Sequence, residues 1–194
     1  PDPWLEIKRQ ELVEVIRAAA GIWVEALAER QTAVPGSPLT FSATALVRGD
    51  FPITLVQVGA AGQETRPKQA VLPANRPLGE KFTVTLPRDT APSQLYWLRE
   101  PRRGGLHTAA PPGLAGAPEN PPVLAATFTL MAQAVSFDLT VPVQFRFRDP
   151  VQGERTQPVA VVPAVMVNLA DRVHLFPDPG SREVSLTLVA GRAK

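Results

Sequence analysis

For bond-breaking chemistry, this 194-residue chain offers two histidines, seven aspartates, eleven glutamates and no cysteine. The missing thiol removes disulfides, thiolate nucleophiles and cysteine-held zinc together. His107 falls in a Gly/Pro/Ala stretch, and His174 sits between Val173 and Leu175 on an expected strand. Neither has a second histidine three or four residues away, so no helical metal pair forms. Asp89, Asp149 and Asp178 stand in Arg-Asp-Thr, Asp-Pro and Asp-Pro-Gly contexts, where the carboxylate serves local backbone hydrogen bonds. No spacing of the acids suggests a glycosidase-like pair. There is no Gly-x-Ser-x-Gly elbow, and Gly104-Gly105 precedes no helical pattern that could cradle a phosphate.

One cluster stands out. Arg99, Arg102 and Arg103 lie beside Tyr96-Trp97. Aromatic faces with guanidinium groups can stack on a sugar ring or pair with an acid, so Tyr96, Trp97, Arg99, Arg102 and Arg103 are the candidate glycan or partner contacts. The competing reading splits Tyr96 and Trp97 across a strand, one facing the core, with the arginines solvated. A formal charge of +2 calls for no nucleic-acid partner. No apolar run reaches the ~20 residues of a membrane-spanning helix.

The elements that must position these residues fall into two classes. Asp2-Pro3 reads as a helix start. Leu5, Leu12, Ile16, Ala19, Trp23 and Leu27 then recur at spacings of mostly three, four or seven, which predicts one amphipathic helix over 4–30. Leu12, Ile16, Trp23 and Leu27 form its candidate interdomain face. Val34-Pro35-Gly36 stops it. From residue 39 the period changes to two. Alternation predicts strands over 39–47, 51–58, 70–72, 81–86, 95–98, 123–131, 137–148, 156–162, 164–169, 172–176 and 183–189, the last two as a hairpin around Asp178-Pro179-Gly180. Residues 59–66 read as loop. The 22 prolines cluster at strand ends and turns, where their missing N–H costs no ladder bond.

This pattern predicts a mainly β protein: an N-terminal amphipathic helix followed by one or, as the favoured expectation, two immunoglobulin-like antiparallel β-sandwiches. The expected division is a connecting helix over 1–33, a first module over 34–103, a Pro/Gly/Ala-rich linker over 104–121 and a second module over 122–194. A single larger sandwich is the alternative. Because it begins at Pro1 rather than Met, the chain is expected to be a processed product or a piece of a longer protein.

Several stretches carry a family resemblance. Glu11-Leu12-Val13, Gly21-Ile22-Trp23-Val24-Glu25-Ala26 and Val34-Pro35-Gly36 resemble the region after the catalytic domain of long bacterial PIG-L/LmbE-type deacetylases. So do Leu95-Tyr96-Trp97-Leu98-Arg99-Glu100-Pro101, Gly116-Ala117-Pro118-Glu119-Asn120-Pro121-Pro122 and Phe147-Arg148-Asp149-Pro150-Val151-Gln152-Gly153-Glu154. The resemblance spans about 11–176. It implies a parent enzyme that removes N-acetyl groups from amino sugars or related amides with a zinc ion. The family's Ala-His-Pro-Asp-Asp-Glu and His-x-x-His motifs are not in this sequence, so no catalytic or zinc-binding residue carries over. The resemblance therefore implies a non-catalytic accessory region with no cofactor of its own. Its implied partners are the parent's catalytic domain and, further, a glycan or another subunit. A stand-alone carbohydrate-binding or protein-interaction module is the alternative. The compartment stays open, with an exported or periplasmic bacterial setting favoured.

Overall fold

The computed structural model describes residues 2–66, 71–102, 104–105, 113–171 and 173–191. The chain opens with α1 (Pro3–Ala19), whose first turn is capped by the Asp2 carboxylate accepting from the Trp4 N–H at 3.0 Å. Three i,i+3 ion pairs line its solvent side: Lys8–Glu11, Arg9–Glu6 and Arg17–Glu14. Val13, Ile16 and Ala20 turn inward against the core.

The helix ends eleven residues earlier than the periodicity predicts. Gly21 takes φ +63°, a left-handed conformation that costs glycine little, and its N–H reaches back to the Ala18 carbonyl at 3.2 Å. A strand, β1 (Ile22–Ala28), follows at once. Ile22, Val24, Ala26 and Ala28 are buried, while Trp23, Glu25 and Leu27 face the other way and are half-buried. Trp23 and Leu27 are four residues apart, a spacing that places two side chains on one face in a helix and in a strand alike. Their recurrence therefore extended the helical pattern across a strand.

The remaining strands are β2 (Thr32–Ala33), β3 (Pro38–Val47), β4 (Ile53–Ala60), β5 (Gln63–Thr65), β6 (Leu78–Thr85), β7 (Ala125–Ala132), β8 (Val135–Asp149), β9 (Gly153–Pro158), β10 (Ala160–Val161), β11 (Val165–Leu169) and β12 (Leu186–Ala190). The stretch expected as loop over 59–66 holds the end of β4 and all of β5. They are joined by a tight turn in which Ala61 and Gly62 both have positive φ.

The main sheet runs β5-β4-β7-β8-β1-β3-β6, with β9 added alongside β8. All its pairs are antiparallel except β1 with β8, which run parallel from Ala26↔Val143 to Ala28↔Phe145. β8 is long enough to serve two partners on one edge. Up to Pro142 it pairs with β7, and from Gln144 it pairs with β9. The exchange occurs at Val143, whose N–H bonds the Leu124 carbonyl and whose carbonyl accepts the Val159 N–H. N–H and C=O of one strand residue point to the same edge, so one strand hands over from β7 to β9 without crossing the sheet. The two ends of the sheet approach each other: the Gln63 amide of β5 donates to the Thr83 carbonyl of β6 at 3.0 Å. The result is a nearly closed mixed sheet around one core. Phe41 and Phe82 stack at 5.2 Å within it, and Phe128, Ile53, Leu55 and Leu130 are fully buried beside them.

Strands from the stretches expected as separate modules, 34–103 and 122–194, pair with one another, β4 with β7, and share that core, so no division of the sheet falls at 104–121. The expected strand over 95–98 is instead a 3-10 turn at Tyr96–Leu98. The expected hairpin over 172–189 also differs. Among the described residues 173–176 form no strand, and β12 pairs with β11 across a long connection. That two-stranded unit stands outside the main sheet.

Candidate functional site

The segment between β6 and β7 carries the aromatic–arginine cluster. It is fastened to the body by Ser93, whose N–H bonds the Val161 carbonyl and whose hydroxyl accepts the Val161 N–H, both at 2.9 Å. Asn120 then closes the segment on itself. Its side-chain oxygen accepts the Tyr96 N–H at 3.0 Å, and its amide donates to the Gln94 carbonyl at 2.6 Å. The Tyr96 hydroxyl donates to the Ala117 carbonyl at 3.2 Å. Gln94 donates to the Leu98 carbonyl at 2.7 Å, tying off the 3-10 turn.

This arrangement differs from the reading that splits the two aromatic residues across a strand. Tyr96 and Trp97 do not alternate across a strand; they are successive residues of one turn, both half-buried, packed edge-to-face at 4.8 Å. The tyrosine hydroxyl is spent on the chain's own backbone. Arg102 donates to the Gly105 carbonyl. Arg103 lies outside the described residues, as does His107. Of the four described residues of the cluster, Arg99 alone lines the adjacent groove, an open hollow of about 390 Å³ walled by Pro92, Leu95, Glu119, Asn120, Pro122 and Val159. Sequence reasoning missed Asn120 as the organising residue. The signal was available in Glu119-Asn120-Pro121-Pro122, since a long proline-rich connection needs a side chain to satisfy its backbone.

The expected interdomain face is also rearranged. Leu12 is on α1 and exposed, Ile16 packs inward, and Trp23 and Leu27 belong to β1. In place of that face, α1 presents Trp4, Leu5, Leu12 and Val15, each more than half exposed. At about 100° per residue these four share one arc of the helix with Lys8, which pairs with Glu11 at the arc's edge, and lie next to the arc that carries Val13 and Ile16.

A second unburied apolar face lies on the β11–β12 arm. The register Val165↔Ala190, Val167↔Leu188, Leu169↔Leu186 puts six apolar residues on one side of the hairpin. The five large ones are all more than half exposed. A two-stranded hairpin needs a third strand or a covering element to be independently stable.

Charges on the main sheet are structural. Arg146 of β8 bridges Glu25 of β1 and Glu154 of β9. Burial of Glu25 raises its carboxyl above the ordinary value of 4.5, against the pull of Arg146. At the β8–β9 turn the Val151 and Gln152 N–H groups hold the Asp149 carboxyl below its usual value. Among the described residues no group of three or more acids or histidines is placed to hold a metal ion. Among them, too, no helix is long and apolar enough to cross a membrane. Compared with known proteins, the chain matches no family model, and no curated protein or solved structure matches it.

Proposed function

We propose that this chain is the non-catalytic accessory β region of a zinc-dependent N-deacetylase of the PIG-L/LmbE kind, a variant of the immunoglobulin-like sandwiches that holds neighbouring domains in place. The observation that carries this reading is the exposed apolar arc of α1. An amphipathic helix whose inner arc is already packed on its own sheet has a second arc, headed by Trp4 and Leu12, that is stable only against another surface. The catalytic domain of the same polypeptide is the partner this reading assigns to it. Zinc chemistry then belongs to that domain.

The test has two parts. Incubated with zinc and N-acetylated amino sugars, the chain is expected to show no turnover; clear turnover refutes the reading. In the Val167→Asp/Leu188→Asp background, where the β11–β12 face no longer takes up dye, a hydrophobic dye is expected to bind α1, and adding Leu12→Asp is expected to abolish most of that binding without changing the far-UV spectrum. Dye binding that is unaffected by Leu12→Asp removes the surface on which the proposal rests.

A second reading is favoured by the groove beside Arg99, where Glu119 and Asn120 supply polar groups over a proline floor. A carbohydrate module would use it to hold an amino-sugar oligomer. Saturable quenching of Trp fluorescence, lost in Arg99→Ala, is the outcome that supports it.

A further inference from the structure

We propose that the β11–β12 arm is a self-association surface, and that its apolar face is covered by the same face of a second copy of this chain across a two-fold axis. The face built from Val165, Val167, Leu169, Leu186 and Leu188 carries no charged group and no hydrogen-bonding side chain. Two such faces can be apposed without burying an unpaired polar atom or opposing like charges. The reverse side of the hairpin pairs Asn168 with Thr187 and the half-buried Met166 with Val189, so it is the more polar of the two sides, and its apolar pair is less exposed.

Area supports a copy of the chain as the occupant. A fully exposed aliphatic side chain offers on the order of 100 Å² of apolar surface, so five of them at 55–64% exposure contribute about 300 Å² per copy. With a polar rim, a two-fold contact reaches roughly the 1,000 Å² at which an interface between chains becomes specific.

Charge placement favours an antiparallel crossing of the two arms. The tip of the arm, residues 170–185, carries Asp171, Asp178 and Glu183 against Arg172 and Arg182, a net charge of −1, and Arg182 pairs with Asp178. The root of the arm, at Gly191, adjoins a hollow lined by Arg30. Arms crossing antiparallel bring the acidic tip of each to the Arg30 root of the other, while a parallel crossing brings acid to acid.

Sedimentation equilibrium of the whole chain, from about 1 to about 200 µM, tests this. The expected result is a monomer–dimer equilibrium that weakens at least about tenfold in Val167→Asp/Leu188→Asp and is unchanged in Thr187→Glu on the reverse side. Asp171→Lys/Glu183→Lys changes only exposed side chains, so it tests the crossing without risk to the fold. It is expected to weaken the dimer at low salt, and adding Arg30→Glu is expected to restore it. A chain that stays monomeric throughout, that dimerises regardless of these changes, or that instead binds neutral lipid vesicles through the arm overturns the proposal. Leu12→Asp on α1 is expected to leave the dimer intact, which separates this result from the fate of the domain-packing reading.

Discussion

Replacing Gly21 with Ala separates two architectures by sign. Were residues 4–30 one helix, as their spacing predicts, alanine would remove the conformational cost of glycine and stabilise the chain by about 1 kcal/mol. In the structure Gly21 is the left-handed residue that ends α1 and admits β1. An L-residue in that conformation costs roughly 1–2 kcal/mol. The new Cβ would also stand 3.2 Å from the Arg48 Cβ and 3.5 Å from the Gly49 N. Relief by movement is opposed, because the Gly21 carbonyl accepts the Arg48 N–H at 3.0 Å where the β1–β3 ladder begins at Ile22↔Val47. The sum is a destabilisation of about 2 kcal/mol, which for a chain of this size lowers the unfolding midpoint by roughly 4–8 °C. Urea unfolding followed by tryptophan fluorescence measures it. Gly21→Asn is expected to lose less, since Asn tolerates the left-handed region. An unchanged or raised stability for Gly21→Ala refutes the boundary and with it the placement of Trp23 on a strand.

Two further outcomes are expected. Asn120→Ala strips the partners from the Tyr96 N–H and the Gln94 carbonyl, at about 1–3 kcal/mol of local stability. Limited proteolysis between β6 and β7 should accelerate, and an unchanged cleavage rate removes Asn120 as the clamp. The raised carboxyl of Glu25 means that the fold resists its ionisation. Its contribution is fully present below the unfolded value near 4.5 and is lost as pH rises through the higher folded value. The stability of the wild type relative to Glu25→Gln should therefore fall as pH rises from 4.5, and a difference that grows over that range contradicts the assignment.

Much of the β structure was legible because a strand with one buried face writes its period directly into the sequence. Leu39, Phe41, Ala43, Ala45 and Val47 are buried in alternation, as are Phe137, Leu139 and Val143. The capped start of α1 was equally plain from Asp2-Pro3, because the Asp2 cap is a local interaction. The helix end was not, since Gly21 is compatible with a weak point in a helix or a stop, and only the pairing of β1 with β3 and β8 decides between them.

The candidate site divides in the same way. The sequence placed Tyr96, Trp97 and the arginines next to one another, but nearness along the chain does not set which side chains share a surface. That depended on Asn120, twenty-four residues away from Tyr96, and on Ser93 docking against β10. The β11–β12 face was hidden because alternation marks an apolar side without saying whether anything covers it. Sequence by itself determined the residue types, the mainly β class and the local caps and turns, all of which act over a few residues. Tertiary structure alone decided the partner exchange along β8, the near-closure of the sheet and the two apolar faces left open. Each of these depends on contacts between residues far apart in the chain, and apolar burial together with the pairing of backbone groups, rather than local propensity, selects which of those contacts form.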